Sequence, residues 1–194
     1  LSNSYLIESQ PGTQIRLGQV AQQSKTAARL SELVQDDPNF QNVGGNYEFE
    51  VTNLPDIGQS VMTVIPQFRP IPSGATYRKL DLLTQEWRTF VEDDDNALHS
   101  TLGEPGYCPP PGAASWEPGL IEGYNCVQLT IQDGGLNDDD GIANGTVVDP
   151  GGVAVEVINN ALPITQPDSL TMLFNTTGRV NVLINDSDPD GDPL

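Results

Sequence analysis

The 194 residues are enough for one large domain, or for one of about 100–150 residues and part of another. Acidic side chains outnumber basic ones 27 to 8, a formal net charge of −19, so the surface repels nucleic acid and anionic membranes. No run reaches the roughly 18 apolar residues of a membrane helix, which leaves no direct membrane insertion by that route.

Tyr5-Leu6-Ile7 and Thr13-Gln14-Ile15-Arg16-Leu17 flank Pro11-Gly12 and read as two strands about a turn. Leu30, Leu33 and Val34 have helical spacing, so one short helix is expected within 19–35, ended by Asp36-Asp37-Pro38. Period-2 alternation returns at 47–51, and 61–66 reads as a further strand. Residues 75–80 and 86–91, joined by a short polar link, form an expected hairpin, with Trp87 facing the core. An acidic run over 92–96 and a Cys-bounded loop follow, then an alternating strand at 126–131. An acidic, Gly-rich loop spans 133–152, and 153–157 is the closing strand. Residues 159–163 read as a linker, and Leu170-Thr171-Met172-Leu173-Phe174 and 179–184 as the first strands of a second module. With 19 glycines and 16 prolines to supply turns, this order predicts a mostly β chain. The expected fold is an antiparallel β-sandwich with long acidic loops and at most one short helix. Its expected division is a β domain over 1–158 and the truncated start of an Ig-like repeat over 159–194.

Cys108 and Cys126 bracket a Pro- and Gly-rich segment, and both point to one disulfide in an oxidising compartment. The alternative is a pair of buried thiols; neither cysteine has a partner at zinc-ligand spacing. Closing such a loop contributes about 3 kcal/mol in the chain-entropy picture.

Clustered carboxylates suggest calcium, a hard cation that takes six to eight oxygens. In the segment 133–145, Asp138 and Asp140 alternate as ligands, Gly141 permits a sharp turn, and Asn144 follows. Asp133 and Asp149 are candidates to complete the shell. The pattern Asp-x-Asp-Gly-Ile-x-Asn-Gly resembles the calcium repeats of thrombospondin type 3, but Leu136 stands at the first ligand position, leaving Asn137 or Asp133 to substitute. A second candidate is Asp186-Ser187-Asp188-Pro189-Asp190-Gly191-Asp192, in which Asp186, Asp188 and Asp190 have the opening spacing of an EF-hand loop and Asp192 is a further candidate. The alternative for both is a solvated acidic turn. Preceded by Val182-Leu183-Ile184-Asn185, the second motif resembles a phrase of tandem Ig-like or cadherin-like repeats in large bacterial surface proteins.

A wider resemblance is carried by 71–79, 87–93, Gly103-Glu104-Pro105-Gly106-Tyr107-Cys108-Pro109-Pro110-Pro111-Gly112, 119–123, 126–131, Asp133-Gly134-Gly135 and Asp149-Pro150-Gly151-Gly152-Val153. Together these resemble the choice-of-anchor U domain of gammaproteobacterial secreted and surface proteins, over roughly 10–158 and most clearly after residue 60. The resemblance implies an extracellular or cell-surface location with an anchor downstream. It implies no established activity, and the phrase at 182–192 adds neighbouring Ig-like repeats.

Enzyme signals are weak. His99 is the sole histidine, in a polar stretch, and there is no Gly-x-Ser-x-Gly or phosphate loop. The first expectation is therefore a non-catalytic, calcium-stabilised module of an adhesin-like protein. The second is a module that binds a surface glycan or protein through the disulfide loop, with Tyr107, Trp116 and Tyr124 as contacts. The third is a hydrolase using an acidic pair.

Overall fold

Strands whose alternate side chains are large and apolar bury one face by stacking two sheets, and this chain does so. The computed structural model describes residues 5–24, 37–157, 161–191 and 193. The elements are β1 (Glu8–Ser9), β2 (Gln14–Leu17), α1 (Gln19–Ser24), β3 (Phe40–Thr52), β4 (Ser60–Pro66), β5 (Thr76–Leu80), β6 (Trp87–Thr89), β7 (Ala97–Thr101), β8 (Glu117–Pro118), β9 (Cys126–Gln132) and β10 (Thr146–Glu156). They form two antiparallel five-stranded sheets. Sheet A has the order β1-β4-β9-β7-β8 and sheet B the order β2-β3-β10-β5-β6. The core lies between the sheets: Val61, Ile65, Val127, Leu129, Ile131 and Leu98 from A meet Tyr47, Phe49, Val51, Tyr77, Val147 and Val153 from B. Removing one large ring from it, as in Phe49→Ala, costs about 3–5 kcal/mol. The antiparallel sandwich with at most one short helix is the architecture expected from strand patterning.

Several elements differ from their sequence reading. The first strand lies at Glu8–Ser9, just after the apolar run 5–7, and pairs with β4. The helix occupies Gln19–Ser24, while Leu30, Leu33 and Val34 lie outside the described residues. β7 was hidden by its polar composition, yet it is interior to sheet A, between β8 and β9, with Leu98 pointing into the core. β10 starts at Thr146 and runs straight through Asp149-Pro150-Gly151-Gly152, which read as a loop. Proline breaks interior strands because it has no N–H to donate. At Pro150, however, pairing is to β3 alone, because the β5 ladder runs only over Gly151–Ala154. Glycine is required next to it: a Cβ on Gly151 would lie 2.6 Å from the Arg78 carbonyl oxygen. The β5–β6 hairpin forms, but Trp87 is not in the core. It shares a face with Thr89, Leu80 and Arg78, the outer face of sheet B, and Phe90 enters the core instead.

The chain divides at Glu156 into two compact units. In the second unit the runs 170–174 and 179–184 are irregular, with Phe174 and Ile184 exposed by 93% and 77%. Their apolar alternation requires neighbouring strands to become a sheet, and among the described residues this unit holds only one isolated bridge, between Ile164 and Ser187.

Candidate functional site

The loop between β9 and β10 holds most of the expected ligands, and it is built around buried carboxylates. Asp133 is 2% exposed. Its Oδ2 accepts N–H bonds from Gly58 and Gly145 at 2.7 and 2.9 Å, and its Oδ1 accepts one from Asn144 at 3.1 Å. Burial alone would raise its pKa, but these backbone donors outweigh it and hold the carboxyl below its ordinary value. Asp138 accepts the Val148 and Gly134 N–H groups, each at 2.8 Å, yet burial dominates and lifts its pKa to about 6. Asn137, 1% exposed, exchanges two bonds with the Val91 backbone and ties the loop to the end of the hairpin. Asp140 is exposed and holds Ile142 N–H and the Asn144 amide at 2.8 and 2.9 Å. Asp149 stands apart from the others. It is fully buried in β10, in direct contact with Lys79 Nζ, and accepts the Tyr77 hydroxyl at 2.9 Å.

The expected calcium ligands of this loop thus serve as anchors for backbone amides. Among the described residues, no three His, Cys, Asp or Glu side chains converge as a metal cage. The same applies to the C-terminal motif. Asp186 accepts Gln166 N–H, Asp188 accepts Asp190 N–H, and Asp190 accepts Ala161 N–H. Asp192 lies outside the described residues.

The site that sequence reading missed is on the outer face of sheet B. A cavity of about 360 Å³ opens there, lined by Arg16, Glu48, Glu50, Asp139, Asp140 and Asn144 among others. Glu48 and Glu50 alternate with Tyr47, Phe49 and Val51, so burying the apolar face of β3 turns both acids onto the opposite face. Glu48 is fully buried and its carboxylate caps the first turn of α1, accepting Val20 and Ala21 N–H. Gly18 makes this approach possible, since a Cβ there would meet the Glu48 carboxyl carbon at 2.4 Å. Glu50 is bridged by Arg16 Nε at 2.6 Å. Asp139 accepts Leu82 N–H at 3.3 Å through Oδ2, while its Oδ1 is buried with no hydrogen-bond partner. Burial raises its pKa.

No protein family, characterised protein or solved structure matches the chain.

The Cys108–Cys126 disulfide is formed, with its Cα atoms 5.7 Å apart. The segment it closes is laid across the outer face of sheet A. Gly112 N–H donates to Gln128 Oε1 at 2.7 Å, and Thr101 Oγ1 donates to the Ser115 carbonyl at 2.8 Å. Gln128 and Thr101 point away from the core, yet they are only 4% and 5% exposed. Tyr107 is exposed, Trp116 donates its Nε1–H to the Pro110 carbonyl, and Tyr124 bonds Glu117 and packs against the core. His99 lies on β7 opposite Gln128, and its Nδ1 is buried without a partner.

Proposed function

We propose that this chain is a non-catalytic structural module of an extracellular, surface-anchored bacterial protein. The observation that carries the proposal is the disulfide strap over sheet A, because such a bond persists in oxidising compartments. The resemblance to the choice-of-anchor U domain points the same way. So does the use of the buried acids: Glu48, Asp133 and Asp138 each hold backbone amides in place. Calcium belongs to this reading through the ligand spacing of 138–144 and 186–190 and through the charge of −19. The test is exposure on intact source cells. Antibody against the sandwich should label them without permeabilisation, and recovery of the protein only in the cytoplasmic fraction overturns the proposal.

The second reading is a module that binds a surface glycan or protein. The cavity beside Glu50 and Asp139 favours it, because a buried carboxylate oxygen there lacks a donor. Isothermal titration against amino sugars and basic peptides tests it. Heat that disappears in Asp139→Asn supports it, and no heat with either probe class rejects it.

A further inference from the structure

Among the described residues, Lys79 and Asp149 are the most deeply buried ion pair. Both side chains have no solvent exposure, and the lysine Nζ is in direct contact with Asp149 Oδ1. The strand geometry explains the meeting. Lys79 shares the inward parity of Tyr77 on β5, Asp149 shares that of Val147 on β10, and the two strands are antiparallel neighbours. Phe49, Tyr77 and Val147 are their neighbours on the same sheet face, Asp138 and Asp139 lie close enough to feel the lysine's charge, and neither side chain of the pair is exposed. Removing two charges from water into such a site carries a desolvation penalty that their attraction only partly offsets. Condensation to a neutral amide abolishes both charges. A primary amine held against a carboxyl carbon also has an effective concentration on the order of 10⁵ M or more.

We propose that Lys79 and Asp149 are joined by an intramolecular isopeptide bond that the folded sandwich forms by itself. A proton passes from the ammonium to the Asp149 carboxylate within the contact, leaving an amine and a carboxylic acid. The Nζ lone pair adds to Cγ. Tyr77, whose hydroxyl lies 2.9 Å from Asp149 Oδ2, donates to the oxygen that becomes negative in the tetrahedral intermediate. The Cγ–Oδ1 bond then breaks, and Oδ1 leaves as water with a second proton from the nitrogen. One N–C bond forms, one C–O bond breaks and one water is released. Nothing is oxidised or reduced, and no co-reactant is needed. The product ties β5 to β10 inside the sandwich, on sheet B, whereas the disulfide serves sheet A.

Mass spectrometry of the whole chain decides the matter. After reduction and alkylation, the protein should weigh one water less than its sequence with both cysteines alkylated. Proteolysis should yield a branched peptide joining the segments around Lys79 and Asp149, with no tryptic cleavage after Lys79. A succinimide at Asp133-Gly134, Asp140-Gly141 or Asp190-Gly191 would have the same mass. Hydroxylamine cleaves that ring and leaves an isopeptide intact, so the branched peptide surviving hydroxylamine is the deciding result. Lys79→Arg should restore the full mass. Tyr77→Phe should slow conversion and give a mixture of both masses over time after refolding. If either variant fails to fold, the wild-type peptide map still decides. A folded wild-type protein at full sequence mass, or one whose mass loss maps to a succinimide, overturns the proposal and leaves Lys79–Asp149 as an ordinary buried ion pair.

Discussion

Glu48 is buried on the outer face of sheet B, and the two N–H groups it accepts come from the first turn of α1, where a helix has no internal acceptors to offer. Truncation to alanine would leave those donors without a partner. Glu48→Ala should cost roughly 2 kcal/mol or more, measured by urea denaturation, and should detach α1 before the sheets unfold. Asp133 and Asp138 lie in one loop, yet they respond to acid in opposite directions. Asp138 titrates near 6 when folded, above its ordinary 3.8, so between those values the folded state binds more protons than the unfolded one. Its contribution to stability is therefore most favourable below about pH 4 and declines as pH rises towards about 6. Asp139, also raised, adds to the same trend. Asp133 is held below its ordinary value, so its contribution is present above that value and is lost on further acidification. Stability measured against pH should thus pass through a maximum in mild acid. In Asp138→Asn, which keeps an acceptor for Val148 N–H, the decline on the neutral side should be shallower; an unchanged profile contradicts this assignment.

At the scale of elements, the disulfide strap and β10 are two segments whose sequence reads as loop and which the structure holds in different ways. The strap has few apolar side chains, and its order depends on the covalent bond and on side-chain partners, Gln128 Oε1 accepting from Gly112 N–H and Thr101 Oγ1 donating to the Ser115 carbonyl. Replacing both cysteines by alanine should lower stability by about 3 kcal/mol. Hydrogen exchange should then rise selectively over 102–125, with β3 and β10 still protected, because those two strands pair within sheet B and of the strap only Leu120 and Tyr124 pack against the core. Uniform loss of protection would show that the strap is part of the cooperative unit. β10 was only partly legible: Val153-Ala154-Val155 alternates visibly, whereas Asp149-Pro150-Gly151-Gly152 looks like a turn. Its real constraint is the close passage of β5 and β3 on either side, which makes small residues necessary. That constraint has no local signature.

For the whole molecule, an excess of carboxylates opposes compactness, and the folded loops relieve it only locally. Raising ionic strength from about 10 mM to about 150 mM shortens the screening length from about 30 to about 8 Å. The melting temperature should rise with sodium chloride for that reason alone. Under the calcium proposal it should rise further with calcium at matched ionic strength, by about 2.7 kcal/mol of added stability at a hundredfold excess over Kd, and fall back with chelator. Equal effects of the two salts would reduce calcium to a counterion.

Composition and alternation by themselves determined a mostly β chain with a sandwich as its expected fold, and the cysteine spacing favoured a disulfide over a pair of free thiols. Both signals are local: a strand that buries one face must repeat every second residue, and two cysteines at the ends of a turn-rich loop have few other partners. Only the tertiary structure decided where the acids go. Glu48 and Glu50 looked like the polar half of an alternating strand, and became the floor of a cavity because α1 and the 139–144 loop cover that face. Asp149 looked like a loop ligand, and lies in the interior beside Lys79 because β10 begins seven residues before the strand read from sequence, at Thr146 rather than Val153. Contacts between residues seventy positions apart in the chain follow from sheet order, and sheet order depends on which faces must be buried together.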